Sequence, residues 1–167
     1  MSDKIKILDE EEVKQKIKRL SWQIYESNIR EKDIIFVGIA ERGLILAKRL
    51  AKNIENISDL NTRISHLKID KKNPYKDIID VDISSSEYIN KVVILCDDVI
   101  NSGKTLIYAS KHFLSVPLKK LSTVTLVDRN HNRYPIKSDY VGLSLATTLQ
   151  EYISVVLDGS DQGVYLS

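Results

Sequence analysis

Two adjacent carboxylates, Asp97 and Asp98, stand shortly before the run Asn101-Ser102-Gly103-Lys104-Thr105. Gly103 lets a backbone turn tightly and approach a ligand closely. Ser102 and Thr105 add hydroxyl donors, and Lys104 adds a cation. If a helix starts here, its first amides are unpaired and point outward, where an anion completes them. Such a loop is a phosphate cradle. The acids repel phosphate, so they face something else: vicinal ribose hydroxyls, or a Mg²⁺ ion held largely by substrate oxygens. A one-phosphate cradle beside acids for a sugar describes a phosphorylated pentose. The pattern is not the Walker loop, because G-x-x-x-x-G-K-[ST] is absent. The competing reading is a capped helix after an ordinary turn. It is weaker, because apolar strand, acids, loop and helix follow in the order a ligand site needs.

The elements that would position these groups are legible. Lys91 to Leu95, with Val-Val-Ile-Leu after the Lys, is a buried strand that ends in Cys96-Asp97-Asp98. Leu106, Ala109, Phe113 and Val116 share one helical stripe, which Pro117 stops. Upstream, Asp9 can cap a helix whose first turn is Glu10-Glu11-Glu12 and whose stripe is Val13, Ile17, Leu20 and Ile24. Lys14, Lys16, Lys18 and Arg19 cover its other faces and read as a solvated surface. Asp33 to Ala40 is a continuous apolar run, the pattern of a buried parallel strand. After Glu41-Arg42-Gly43, Leu44, Ala47, Leu50, Ala51 and Ile54 return to helical spacing. Ile64, His66, Leu67 and Ile69 suggest another strand, Asp70 to Asp77 a polar loop, and Val81 to Ile83 a return strand. Leu121–Val127, Ser138–Gly142, Tyr152–Leu157 and Val164–Leu166 complete the strand readings. Alternating strands and helices predict an α/β fold with a mainly parallel central sheet flanked by helices.

The chain has 167 residues, 43% hydrophobic and 29% charged, with a net charge of +2. This composition suits one soluble domain over 1–167 and argues against a surface that coats nucleic acid. A single cysteine excludes an internal disulfide and a multi-cysteine metal site. Cys96, on an apolar strand, reads as a small buried residue, and His66 and His112 as structural. Asp158-Gly159-Ser160 reads as a turn. No apolar run reaches membrane-spanning length and no signal-peptide stretch is present, so the expected location is the cytoplasm, with no membrane partner.

The stretch Val93 to Thr105 resembles the phosphoribosyl-pyrophosphate (PRPP) motif of type I phosphoribosyltransferases: apolar strand, two acids, three variable residues, then Ser/Thr-Gly-x-Thr. Gly38-Ile39-Ala40-Glu41-Arg42-Gly43 resembles the pyrophosphate loop of the same family. Val127-Asp128-Arg129-Asn130-His131 and the segment Tyr134 to Gly142 resemble the branch of pyrimidine operon attenuation regulators, which are also uracil phosphoribosyltransferases. The Ile7-Leu8-Asp9-Glu10-Glu11-Glu12-Val13 start resembles that branch too, so the likeness spans nearly the whole chain. It departs in four places, one of them Ser21-Trp22 on the first helix, where the branch carries other groups. Asn130 stands where the branch has Gly, Leu143 where it has a basic residue, and the loop at Asp70–Asp77 is short.

The resemblance implies the type I phosphoribosyltransferase fold with a small hood formed by terminal segments. It implies transfer of the phosphoribosyl group of PRPP to a nucleobase, uracil first and a purine second, with release of pyrophosphate. Asp97, Asp98 and Arg42 would be catalytic. Asp97 and Asp98 would bind the ribose and Mg²⁺, directly or through water. Glu41, Gly43, Asn101, Ser102, Gly103, Lys104 and Thr105 would bind PRPP, and Asp128, Arg129 and His131 the base. The Lys71-Lys72-Asn73-Pro74-Tyr75 loop is a candidate lid, whose lysines would reach pyrophosphate. Partners would be PRPP, the base and further copies of the chain in a homodimer or larger homo-oligomer. An RNA-binding operon regulator that senses nucleotides or PRPP is the alternative; net charge and Leu143 weigh against it.

Overall fold

A computed structural model describes residues 4–76 and 78–167. Asp77, the last residue of the polar loop expected from the sequence, lies outside them, as do residues 1–3. The larger sheet has six strands: β2 (Asp33–Ile39), β3 (Asn61–Lys68), β4 (Asp80–Val81), β5 (Val92–Ile100), β6 (Lys120–Asp128) and β7 (Tyr140–Ser144). Its order is β4-β3-β2-β5-β6-β7. All neighbours pair in parallel except β3 and β4. A second sheet of three antiparallel strands joins the ends of the chain: β1 (Ile5–Leu8), β9 (Gly163–Leu166) and β8 (Ile153–Val156), in that order. The terminal hood is this small sheet.

Two apolar layers hold the large sheet. One joins α1 (Glu10–Ser27) and α2 (Ala40–Ile57) to the sheet and to the hood strands. Val13, Ile17, Leu20 and Ile24, the stripe read from the sequence, are all buried in it. The other joins α3 (Ser85–Tyr88) and α4 (Lys104–Phe113) to the opposite face, with Tyr88 edge-on to Phe113 at 4.9 Å between ring centroids. Burial on both faces explains why β2 and β5 read as unbroken apolar runs.

Several boundaries move. β5 does not end before the acids. It continues through them to Ile100, because pairing with β6 persists at Asp97↔Thr125, Val99↔Val127 and Ile100↔Asp128. β2 stops at Ile39, since Ala40 turns into the left-handed region at φ 54°. β3 ends at Lys68, leaving Ile69 outside it. α4 ends at Phe113, so Val116 packs from the following turn, and the carbonyl of Pro117 instead accepts from the Asn90 amide at 2.8 Å. β1 and α3 carry no periodic signal long enough to read in advance. Among the described residues, no helix is long and apolar enough to cross a membrane.

Candidate active site

The strand order reverses between β2 and β5. After β2 the chain winds outward through β3; after β5 it winds the other way through β6 and β7. The crevice at the C-terminal ends of such a pair is where parallel sheets bind ligands. The loop after β2 and the acids on β5 meet there. Two glycines let them. A Cβ on Gly38 would lie 2.2 Å from the Leu44 Cα, and one on Gly43 would lie 2.4 Å from the Cys96 carbonyl oxygen. The first turn of α2, with Glu41 and Arg42, is thereby seated against the end of β5.

The loop turns into a helix where the sequence suggests. Gly103 has φ 84° and opens α4. A Cβ there would fall 2.7 Å from Ile136 Cγ2. The amides of Arg133 and Tyr134 both donate to the Ser102 carbonyl, at 2.9 and 3.1 Å, and hold the loop from the outside. Lys71, Asp97, Val99 and residues 100–106 line a cleft of about 160 Å³. Helix caps divide sharply by location. α1 has a capping box from Asp9 and Glu12, and α3 one from Ser84 and Glu87. Neither α2 nor α4 is capped by the side chain of its N-cap residue, although the Lys104 amide at the start of α4 donates to Ser102 Oγ at 3.3 Å. These two helices begin at the crevice, where an anion would complete their remaining first-turn amides.

Asp97 and Asp98 are buried, and cations reach them from two elements. Lys71 Nζ lies 2.7 Å from Asp97 Oδ1 and 3.5 Å from Asp98 Oδ1. Arg42 Nη1 lies 3.6 Å from Asp98 Oδ2. Burial pushes the Asp97 carboxyl up to about 7, against the pull of Lys71, with the neighbouring Asp98 charge raising it further. Burial also works against the Lys71 ammonium, but Asp97 and Asp98 outweigh it and its pKa is raised. Two buried carboxylates with a cation already between them fit a Mg²⁺ ion. Among the described residues no group of three or more acids, histidines or cysteines is arranged to hold a metal by itself, so such an ion would complete its shell with substrate oxygens and water.

The three residues assigned to the base lie on the far side of the cradle. Four of the five N–H groups of the Arg129 guanidinium are engaged. It donates to Asn101 Oδ1 (2.8 Å), Thr147 Oγ1 (3.0 Å) and the carbonyls of Thr148 (3.2 Å) and Glu151 (2.5 Å). His131 Nε2 contacts the Thr147 carbonyl, and Asp128 Oδ1 accepts from the Asn130 amide at 2.8 Å. Arg129 thus ties the cradle to the 147–151 loop. Asn130 has φ 58°, a conformation that Gly and Asn share more readily than other residues, so its departure from the branch pattern keeps the backbone. Leu143 packs against the core beneath α1.

Against known proteins, the phosphoribosyl transferase domain matches residues 5–157. The chain belongs to the phosphoribosyl transferase family. Its relatives include "Bifunctional protein pyrR" of Enterococcus faecalis strain OG1RF, 33% identical over 95% of this chain and 94% of that one. "Bifunctional protein PyrR" of Fusobacterium nucleatum is 32% identical over 99% and 100%. These relatives match the regulator branch expected from the sequence. Among solved structures, the hypoxanthine phosphoribosyltransferase of Trypanosoma cruzi shares the fold at TM-score 0.81, with 16% identity over 96% of this chain and 94% of that one. A hypoxanthine-guanine phosphoribosyltransferase of Bacillus anthracis does so at 0.74, with 24% identity over 84% and 81%. The expected type I fold and its hood are therefore present, and the activity is phosphoribosyl transfer from PRPP.

Sequence reasoning placed the acids, Arg42 and the cradle in one crevice but missed what binds them together. Lys71 was expected over pyrophosphate and sits on the acids. Thr147 and Glu151 carried no motif. His66, read as structural, presents a buried Nε2 with no hydrogen bond, 3.6 Å from Glu41 Oε1. Its strand partner is Gly38, so the topology, not the local sequence, brings it to the Glu41-Arg42 turn.

Proposed function

We propose that this phosphoribosyltransferase uses uracil as its acceptor and is at the same time a nucleotide-sensing regulator that binds pyrimidine-operon leader RNA. The observation that carries the second role is the relatives. Those at 31–34% identity, matched over at least 90% of both chains, are named as bifunctional PyrR proteins. Asn130 is compatible with it, because its φ of 58° is a conformation that the glycine of that branch also adopts readily. Lys14 and Lys18 are exposed on α1 and supply positive charge, while Arg19 is partly engaged with the carbonyls of Val141 and Gly142.

In the transfer step, ribose carbon 1 loses pyrophosphate and gains the base, through a state with positive charge on the sugar. Asp97 and Asp98 hold the ribose hydroxyls and favour that charge. Residues 101–105 grip the 5′-phosphate and fix the sugar's orientation from a distance. Arg42, half exposed beside Asp98, donates to departing pyrophosphate. Mg²⁺, where bound by the two acids, supplies charge neutralisation for the leaving group. Asp128 and His131, with the loop that Arg129 holds, border the base.

Filter-binding titration against the leader RNA of its own pyrimidine operon tests the RNA role. The expected result is an affinity that falls with salt and changes when uridine 5′-monophosphate or PRPP is added. Equal binding to a scrambled RNA, unmoved by either ligand, refutes it. Assay of nucleotide formation from PRPP with uracil, hypoxanthine and guanine tests the acceptor, and a purine preference refutes uracil.

A further inference from the structure

The turn after β2 is bracketed by the two strands that flank β2 in the sheet, β3 and β5. Its two charged side chains reach opposite neighbours. Arg42 Nη1 approaches Asp98 Oδ2 on β5 at 3.6 Å, and Glu41 Oε1 approaches His66 Nε2 on β3 at 3.6 Å. The imidazole stands on a fixed base. His66 is in register with Gly38, its amide donates to Asp82 Oδ1 at 3.0 Å, and its carbonyl accepts from the Asp82 amide at 3.4 Å. Its Nε2 is buried and has no hydrogen-bond partner among the described residues. A buried nitrogen left unpaired is costly, so an acceptor just beyond bonding distance is the group it takes. The Glu41 side chain is 83% exposed and free to swing into hydrogen-bond range.

We propose that His66 is a positioning residue for the pyrophosphate turn: its Nε2–H binds the Glu41 carboxylate, draws it toward β3 and so leaves Arg42 to face the pyrophosphate. This role rests on the proposed assignment of that turn to pyrophosphate. A carboxylate suits the positive start of α2, yet it repels an anion bound beside it. The tether to His66 resolves the conflict by turning the charge aside. Glu41 then acts through His66 and not as a ligand of PRPP. The turn needs such a tether. It begins with Ala40 at φ 54°, and Ile39 gives α2 no side-chain cap. Gly38 and Gly43 seat its backbone closely but do not fix where its side chains point. A pair with one exposed member is a modest interaction, so its loss changes binding by a small factor and does not abolish turnover.

Steady-state kinetics of the full chain test it, with KM for PRPP, Ki for pyrophosphate and KM for the base read separately. His66→Leu is expected to raise KM for PRPP and Ki for pyrophosphate by about three- to tenfold, while kcat and KM for the base move by less than about twofold. Glu41→Ala, at an exposed position, is expected to raise the same two constants to the same extent. The double variant should be no worse than either single one. His66→Gln, which keeps an N–H donor, should bring both constants back to within about twofold of the wild type. Ki for pyrophosphate within about twofold of the wild type in both His66→Leu and Glu41→Ala overturns the role. So do single effects that multiply in the double variant, the mark of Glu41 as a direct ligand, and so does a His66→Gln no better than His66→Leu. Arg42→Gln separates the causes of such a failure. If it weakens pyrophosphate by about tenfold or more where the other variants do not, the His66 inference alone falls. If it too leaves pyrophosphate inhibition unchanged, the assignment of the turn falls with it.

Discussion

Gly43→Ala is the substitution that most directly probes how the site is assembled. Its Cβ would lie 2.4 Å from the Cys96 carbonyl oxygen, where ordinary contact begins at 3.4 Å. The turn must retreat by about 1 Å, because the obstacle is the backbone of a buried central strand and no side chain can swing aside. Overpacking of this kind costs about 1–3 kcal/mol. For a chain of this size each kcal/mol lowers Tm by about 2–4 °C, so a fall of roughly 2–12 °C is expected. The retreat also carries Arg42 away from Asp98, already 3.6 Å distant. A misplacement of about 1 Å at reacting groups costs on the order of 10²-fold in rate. Scanning calorimetry gives the first number and kcat/KM for PRPP the second. A variant with Tm unchanged within about 1 °C refutes the seating of α2 on β5. One that loses stability but keeps kcat/KM refutes the placement of Arg42 at the reacting end.

Three residues away the sign reverses. Ala40→Gly relieves a left-handed residue that costs about 1–2 kcal/mol, less about 0.5–1 kcal/mol of glycine entropy, so Tm should rise slightly; a fall would contradict the strain at φ 54°. Asp97 gives a pH prediction for metal-free protein. Its folded pKa, about 7, is raised above the ordinary 3.8, so the folded state holds the proton more tightly and the associated stability, full below 3.8, is lost as pH rises to about 7. Asp97→Asn should therefore gain on the wild type across that window by an amount on the order of 4 kcal/mol, read from urea unfolding at pH 4 and pH 8. A constant difference between the two proteins would refute it. Arg129→Met should lower stability by about 2–4 kcal/mol, because it strands the partners of a buried, hydrogen-bonded charge, and should raise KM for the base more than it lowers kcat. Unchanged Tm would show that the 147–151 loop is held otherwise.

The parts of the fold legible in advance were those where a local pattern and a packing demand coincide. The stripe of α1 and the apolar runs of β2 and β5 report burial directly, and Gly103 reports a left-handed turn. The boundaries were less legible. Asp97 and Asp98 look like the end of a strand because they are charged, yet parallel pairing to β6 continues through both. The hood strands β1, β8 and β9 are only four residues each, and β1 gains its meaning from a partner more than 150 residues away. The site shows the same limit. A motif displays the groups for a ligand, not the groups that occupy them without one. Lys71 carries no signature beyond a polar loop, and Arg129 reads as a base ligand until its four partners are seen.

One signal in the sequence does separate site from scaffold. Asp9 with Glu12 and Ser84 with Glu87 give their helices a full capping box, each about 1 kcal/mol of local stability. α2 and α4 follow Ile39 and Gly103, neither of which caps by its side chain. Nothing in their composition forbids a cap; Ser or Asp at either place would be better for the helix alone. A cap there would fill with a side-chain oxygen the amides that face the crevice, and would repel or crowd a phosphate. With no cap from Ile39 or Gly103, and only Ser102 Oγ on the Lys104 amide, both positive helix ends stand beside Arg42 and Lys104, opposite the buried acids. On the proposed reading, the two phosphate-bearing ends of PRPP go to the two helix starts and its ribose to the acids between them. The same separation accounts for a net charge of only +2 in a chain whose substrate is an anion. Attraction comes from charge arranged by helix ends and a few side chains, not from an excess of basic residues.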